Sequence, residues 1–195
     1  MTNTRGPKIT PQTDSPTANR PVPEAPGAYR VLSMATIGFT LMFAAWMMFG
    51  VLGISIQEEF GLTDVQLALI SSVAILNGSL WRLPAGIITD RVGGRIVMTV
   101  LLVLSSIFSF LVSRADSYSM LLGLAFAVGL AGNSFSVGTP WVAAWFSERR
   151  NGWAMGVFGA GNVGASVTKF IGPVLIAATA GTLYFGGLVE GGWRL

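Results

Sequence analysis

Of the 195 residues, 52% are hydrophobic, 11% are charged and 25 are glycines, a composition that departs from soluble domains towards membrane proteins. Cysteine and histidine are absent, which excludes disulfides, thiol catalysis, the usual zinc sites and a histidine proton switch. The net charge of +3 does not indicate a nucleic-acid partner, because the basic residues are scattered between apolar segments.

Residues 1–29 form a polar segment that holds six of the nine prolines. The segment lacks the apolar core of a signal peptide and the hydrophobic periodicity of a helix. We therefore predict a disordered tail.

Five apolar segments follow the tail, and we predict one membrane-spanning helix in each, over residues 33–54, 65–89, 96–112, 118–146 and 152–180. A helix start is indicated at Thr63–Asp64. The linkers are short, so consecutive helices are expected to be antiparallel neighbours. Kinks are expected at the prolines inside the segments, which are Pro84, Pro140 and Pro173.

Lysine and arginine are concentrated in the tail and in alternate loops, which predicts a cytoplasmic N-terminus. Five crossings then place the C-terminus outside, and residues 191–195 lie where a sixth helix would be expected to begin. We therefore expect an all-α membrane protein that is part of a larger one.

A glycine-rich string in the fifth segment has the spacing G-x-G-x-x-G, with Gly159, Gly161 and Gly164 as its glycines. A dinucleotide site with this spacing needs a preceding strand and an acidic residue about 20 positions on. Here the string lies in an apolar run whose only charge is Lys169. We interpret these glycines as a surface that lets neighbouring helices approach closely.

The loop after the second segment resembles the motif G-x-x-x-D-R-x-G-R-[RK] of the major facilitator superfamily. The matching residues form a predicted gating loop: Gly86, Asp90, Arg91, Gly93 and Arg95. Gly94 replaces the first basic residue at the end of the motif. The resemblance implies a twelve-helix transporter whose two six-helix halves rock about a central site, so that this chain is five helices of an incomplete half-bundle.

Arg82 lies inside the second segment, with Gly78 and Gly86 four residues to either side. An arginine at the centre of a membrane helix costs about 2.5–3.5 kcal/mol and normally signals function. The alternative is that its side chain snorkels towards Asp90, roughly 12 Å away along the helix. A guanidinium presents parallel N–H donors that match two oxygens of a small planar anion, so we expect an anionic substrate.

Two further strings, residues 132–135 and 159–170, resemble those of the nitrate/nitrite porters of the NarK type. In that family a glycine-rich signature lies on helix five and an arginine on helix two contacts the anion. Arg82 and the string from Gly159 to Gly164 fall on these positions. Together with the amide, aromatic and charged side chains of these apolar segments, they give the candidate substrate-binding residues: Arg82, Asn133, Phe135, Gly161, Asn162, Gly164 and Lys169. Helix–helix hydrogen bonding is the alternative for the asparagines, packing for Phe135, and snorkelling for Lys169.

The expected function is transport of nitrate or nitrite by alternating access, in the plasma (bacterial inner) membrane, together with a second transporter half. No acidic residue is expected at mid-membrane, so nitrate/nitrite antiport and proton symport through the other half both remain open. The alternatives are a facilitator for another small or organic anion, and a fragment that does not transport. Neither an enzyme nor a cofactor is expected, because no nucleophile–base pair or metal cluster can be assembled.

Overall fold

The computed structural model describes residues 24–184 and 189–194, so the predicted tail lies outside the described residues up to position 23. The described chain contains these α-helices: α1 (Ala28–Trp46), α2 (Phe49–Phe60), α3 (Asp64–Leu80), α4 (Arg82–Val92), α5 (Gly94–Val112), α6 (Tyr118–Val128), α7 (Ser134–Ala143), α8 (Glu148–Gly159) and α9 (Val163–Thr179). Short 3₁₀ segments join α6 to α7 (Gly129–Asn133) and α8 to α9 (Ala160–Asn162).

Four stretches are long and apolar enough to cross a membrane: Ala28–Phe60, Gly94–Val112, Tyr118–Ala143 and Glu148–Thr179. The pair α3 and α4, bent by 41° at its break, passes the same test as one span. The chain is therefore a bundle of up to five spans, as predicted: an all-α membrane half-bundle.

The first span is longer at both ends than the predicted 33–54. Helix α1 begins at Ala28, inside the segment assigned to the tail, and α2 continues through Glu58 and Glu59. It ends where Gly61 adopts a left-handed conformation with φ of 61°. The predicted start at Thr63 is confirmed, because its side chain and that of Gln66 form a capping box.

The two ends of the bundle carry different structures. The tail end is the one at which α1, α5 and α8 begin. The hairpin end carries a two-stranded antiparallel hairpin of β1 (Leu183–Tyr184) and β2 (Val189–Glu190). Beyond the hairpin, Arg194 donates a 2.8 Å hydrogen bond to the carbonyl of Ser113 and forms a salt bridge with Glu59. These contacts fasten residues 191–194 to the ends of α2 and α5.

Four of the spans change helix type or direction near their middle. We call these positions the break layer: residues 47–48, 81, 129–133 and 160–162. Pro84 accounts for the break at Trp81, because its backbone nitrogen carries no hydrogen and cannot donate a helical hydrogen bond to the carbonyl of residue 80. In contrast, Pro140 and Pro173 lie inside uninterrupted α7 and α9. Only α5 runs through without a break among the described spans.

Candidate functional site

Three of the candidate polar residues lie directly at breaks in the helices. Arg82 is the first residue of α4, Asn133 ends one 3₁₀ segment and Asn162 ends the other. Helix breaks leave backbone groups without their usual partners, so polar side chains and ligands have hydrogen-bonding groups to meet there. The break layer is therefore where we place the candidate site.

In the break layer, the side chain of Trp46 at the end of α1 contacts both α3 and the first 3₁₀ segment. Its indole N–H donates a 3.1 Å hydrogen bond to the carbonyl of Ala74. Its ring covers two glycines: a Cβ added at Gly78 would lie 3.0 Å from the ring, and one added at Gly132 would lie 2.7 Å from it. The sequence Gly132–Asn133 is thus part of a tight helix contact.

Asn133 is fully buried, but only one of its two polar side-chain atoms has a hydrogen-bond partner among the described residues. Its amide nitrogen donates a 3.1 Å hydrogen bond to the carbonyl of Leu130. Its Oδ1 atom has no partner in the described part of the chain. Asn133 also lines a cavity of about 240 Å³, walled by Trp81 and by apolar residues of α4 and α5. A buried acceptor without a partner is costly, which marks Asn133 as a polar group that needs a further partner, such as a water molecule.

Arg82 is exposed on the surface of the half-bundle, and within the described ranges its guanidinium has no hydrogen bond or ion pair. Arg82 and Gly86 lie four residues apart in α4, as the helical spacing predicts, but the break at Trp81 separates both from Gly78 in α3. Gly78 is buried under Trp46, whereas a Cβ added at Gly86 would meet nothing within 4 Å.

Gly161, in the second 3₁₀ segment, and Gly164, in α9, both pack against α1. A Cβ added at Gly161 would lie 2.5 Å from the ring of Phe39, and one at Gly164 would lie 2.1 Å from the carbonyl oxygen of Thr40. Both glycines are buried, whereas the side chain of Asn162 between them is exposed. The structure therefore gives the two glycines a packing role and leaves Asn162 on the free surface.

Phe135 and Lys169 also lie on the exposed surface. Phe135 is 43% exposed, and its ring stacks on Phe158 at 5.8 Å between centroids, with Phe39 adjacent at 5.6 Å. Lys169 on α9 has no hydrogen bond or ion pair to any described residue. The structure thus leaves Arg82, Phe135, Asn162 and Lys169 exposed, and buries Asn133.

The predicted gating loop is mostly helical at the tail end: Gly86, Asp90 and Arg91 lie in α4, Arg95 lies in α5, and Gly93 stands between the two helices. Asp90, Arg91 and Arg95 are exposed, and no ion pair joins them in the part of the chain that the structure describes. Gly93 has φ of 94°, a conformation that favours glycine. Gly94 is buried, and a Cβ there would lie 2.3 Å from Cβ of Trp141. This contact explains why the motif departs from its basic residue at Gly94.

The Major Facilitator Superfamily sequence profile matches residues 34–194. The chain belongs to the major facilitator superfamily. Among its relatives, it is 64% identical over 171 residues to the probable nitrate/nitrite antiporter NarK1 of Thermus thermophilus. The aligned region covers 88% of this chain and 39% of that protein. It is 31% identical over 147 residues to the nitrite extrusion protein of Bacillus subtilis, covering 75% of this chain and 37% of the relative.

A probable nitrate transporter NarT of Staphylococcus epidermidis is 32% identical over 147 residues, covering 75% of this chain and 38% of the relative. The resemblance to the nitrate/nitrite porters is thereby confirmed. This facilitator chain spans less than two-fifths of the length of each of these relatives. With its apolar spans, membership of the superfamily makes it part of a multi-pass membrane protein.

The sequence reasoning missed Asn77, which this facilitator chain buries in α3. Asn77 is 1% exposed, and its amide donates to the carbonyl of Phe126 on α6. Its Oδ1 atom has no partner among the described residues. The signal was present, because Asn77 is an asparagine next to a glycine in an apolar segment, as Asn133 and Asn162 are.

Proposed function

We propose that this chain forms the first part of a transporter for nitrate or nitrite, which works by alternating access together with a second half. The observation that carries the proposal is Arg82, an exposed arginine at a helix break in a chain 64% identical to a probable nitrate/nitrite antiporter. A charged side chain in a membrane span is costly unless it faces protein or a water-filled cavity. The exposed surface around Arg82 therefore faces the substrate path and the second half, not lipid.

In this proposal, Arg82 binds the anion through two parallel N–H groups, which match two oxygens of a planar oxyanion. Asn162 donates a further hydrogen bond from the end of the second 3₁₀ segment, and Phe135 provides an apolar wall. Lys169 attracts the anion from the hairpin end. Asn133, with its free acceptor, holds a water molecule or orients a neighbouring donor at the cavity beside Trp81.

The glycines assist the motion of the helices. Gly161 and Gly164 let α9 lie directly on α1, and the gating loop joins α4 to α5 at the tail end. Asp90, Arg91 and Arg95 are then available to contact the second half in one of the two transport states. Their lack of partners within the described residues fits a loop that makes its contacts elsewhere.

We propose that the tail end is cytoplasmic, in the plasma (bacterial inner) membrane. Arg91, Arg95, Arg149 and Arg150 all lie at this end of the bundle, where the positive-inside rule expects basic residues. Glu58 and Glu59 lie at the hairpin end. The described acidic residues are all at the two ends of the bundle, so either the chain exchanges nitrate for nitrite or a proton is carried by the second half.

The proposal is tested by Arg82→Lys in the transporter that contains this chain, reconstituted in proteoliposomes. Lysine keeps the charge but loses the fork of donors, so we expect nitrate affinity to fall about 10- to 150-fold, equivalent to the loss of a charged hydrogen bond of roughly 1.5–3 kcal/mol. Arg149→Lys, on the exposed tail end, is the matched control and should transport normally. Uptake by Arg82→Lys at the level of that control would contradict the role of Arg82.

Two measurements separate the alternatives. If the substrate is another small or organic anion, excess nitrate will fail to compete with it for uptake. The second candidate is a fragment that does not transport, and the coverage of less than two-fifths of the relatives favours it. It predicts no nitrate uptake by the 195-residue chain in liposomes even when a second half is supplied, whereas the proposed transporter predicts uptake under that condition.

A further inference from the structure

A cavity of about 360 Å³ opens at the tail end, between the beginnings of α1 and α5 and the end of α7. This volume lies within the range of small-molecule sites, roughly 300–1,000 Å³. Its lining residues are Pro26, Gly27, Arg30, Val31, Met34, Arg95, Trp141 and Trp145. The cavity is separate from the break layer and plays no part in the proposed transport site.

The polar groups of the cavity are positively charged. Arg30 and Arg95 are exposed at its edge, and neither guanidinium has a hydrogen bond or ion pair within the described ranges. No acidic residue is among the described residues that line it. Two long helices, α1 and α5, also begin there without a side-chain cap, so their first N–H groups add to the positive potential. The cavity therefore selects an anionic group.

An apolar path leads from the cavity along α1 towards the middle of the membrane. Met34, Ile37 and Leu41 follow Arg30 at helical spacing, and each of the three is about 60% exposed. A small inorganic anion has no apolar part that could contact these side chains. A molecule with a charged head and an apolar chain matches both the arginines and the stripe.

The other wall of the cavity is aromatic and consists of Trp141 and Trp145. Trp141 packs against the backbone of Gly94, and Trp145 lies 3.9 Å from a Cβ that would be added at Gly27, which has φ of 92°. Tryptophan is enriched at the level of lipid headgroups, where its ring is apolar and its N–H is wet. The two rings thus place the cavity at the bilayer surface.

We infer that this cavity binds an anionic phospholipid, with its phosphate between Arg30 and Arg95 and an acyl chain along Met34, Ile37 and Leu41. Basic pockets between membrane helices bind anionic headgroups in this way. Such a lipid would bridge α1, α5 and the end of α7. It would also engage Arg95, so that the composition of the membrane would act on the gating loop.

The test measures lipid retention by the purified full chain in detergent, by native mass spectrometry, with phosphatidylglycerol and phosphatidylcholine of the same acyl chains. We expect the wild-type chain to retain phosphatidylglycerol preferentially. Each basic residue near an anionic surface contributes about fivefold in affinity. The affinity of Arg30→Gln/Arg95→Gln for phosphatidylglycerol should therefore fall roughly 25-fold, while its affinity for phosphatidylcholine should stay unchanged. The affinity of each single variant for phosphatidylglycerol should fall about fivefold. The single variants replace the double variant in this test if the double variant folds poorly.

Arg91→Gln/Arg149→Gln is the matched control, because it removes the same charge from exposed positions at the same end but outside the cavity. It should keep the preference for phosphatidylglycerol. An equal loss in the control would show a general charge effect and overturn the site, as would an unchanged preference in the double variant. Displacement of the lipid by millimolar inorganic phosphate or nitrate would assign the cavity to a free anion and overturn the lipid assignment.

Discussion

At the scale of single residues, glycine has two different uses in this chain. At Gly94, Gly138 and Gly164, an added Cβ would lie within 2.3 Å of a neighbouring atom. At Gly86, Gly123 and Gly159, it would meet nothing within 4 Å. The sequence alone does not separate the two groups, because the difference depends on which element lies opposite each glycine.

Gly94→Ala should destabilise the chain, because the new methyl group would overlap Cβ and Cγ of Trp141 at 2.3 Å. Overpacking of this kind costs about 1–3 kcal/mol. Gly123→Ala, in the middle of α6 with open space around it, is the control and should be neutral or slightly stabilising. Thermal unfolding in detergent measures both. Equal melting temperatures for the two variants would argue against the packing of Gly94 on Trp141.

The candidate site shows the same limit of sequence reasoning. A charge or an amide in an apolar segment identifies Arg82, Asn133 and Asn162 as polar groups that need a partner. Whether each is buried depends on tertiary packing: Asn133 is covered from several elements, whereas Asn162 is exposed between two buried glycines. The sequence therefore identifies the residue types of the site, but not which of them share a surface.

At the scale of elements, the number of spans was predictable because apolar length is set by the thickness of the bilayer. The interruptions within spans were harder to predict. Proline marks the break at Trp81, but the two 3₁₀ segments of the described chain end at Asn133 and Asn162, in glycine–asparagine sequences without a proline. Glycine destabilises the interior of a helix, and the asparagine side chain competes for backbone hydrogen bonds. Tertiary contacts, such as the packing of Trp46 on Gly132, then determine where the α-helix is interrupted.

The contact of α9 with α1 gives a prediction at this scale. Gly164→Ala would bring a methyl group to 2.1 Å from the carbonyl oxygen of Thr40, a backbone atom that cannot rotate away. The two helices should therefore separate, at a cost of about 1–3 kcal/mol in stability. Under the proposed function, nitrate uptake by the transporter that contains this chain should also fall. Gly159→Ala, at the open end of α8, is the control for both measurements, and identical behaviour of the two variants would contradict the close approach.

At the scale of the whole molecule, one set of polar contacts at each end joins elements that are distant in sequence. At the hairpin end, Glu59 accepts hydrogen bonds from Trp193 and Arg194. At the tail end, Glu24 accepts 2.8 Å hydrogen bonds from the backbone N–H and the hydroxyl of Ser147. Between the two ends, the hydrogen bonds of Trp46 to the carbonyl of Ala74 and of Asn77 to the carbonyl of Phe126 also join distant elements across the apolar core.

The tail-end contact makes stability depend on pH. The backbone hydrogen bond from Ser147 lowers the pKa of Glu24 below the ordinary 4.5, as do the Ser147 hydroxyl and the charge of Arg150, while burial opposes them. Because the folded pKa is the lower one, the stabilisation is complete above the ordinary value and is lost as the pH falls through the folded pKa. Glu24→Gln keeps one acceptor but loses the charge, so its melting temperature should lie below that of the wild type at pH 7.

This difference in melting temperature should shrink below pH 4.5 and disappear at pH values under the folded pKa. Glu148→Gln is the matched control, because Glu148 is exposed at the same end and has no hydrogen bond or ion pair through its side chain within the described residues. Its difference from the wild type should be smaller at pH 7. A Glu24→Gln difference that is constant from pH 7 to pH 3 would mean that the carboxylate does not fasten α1 to the loop before α8.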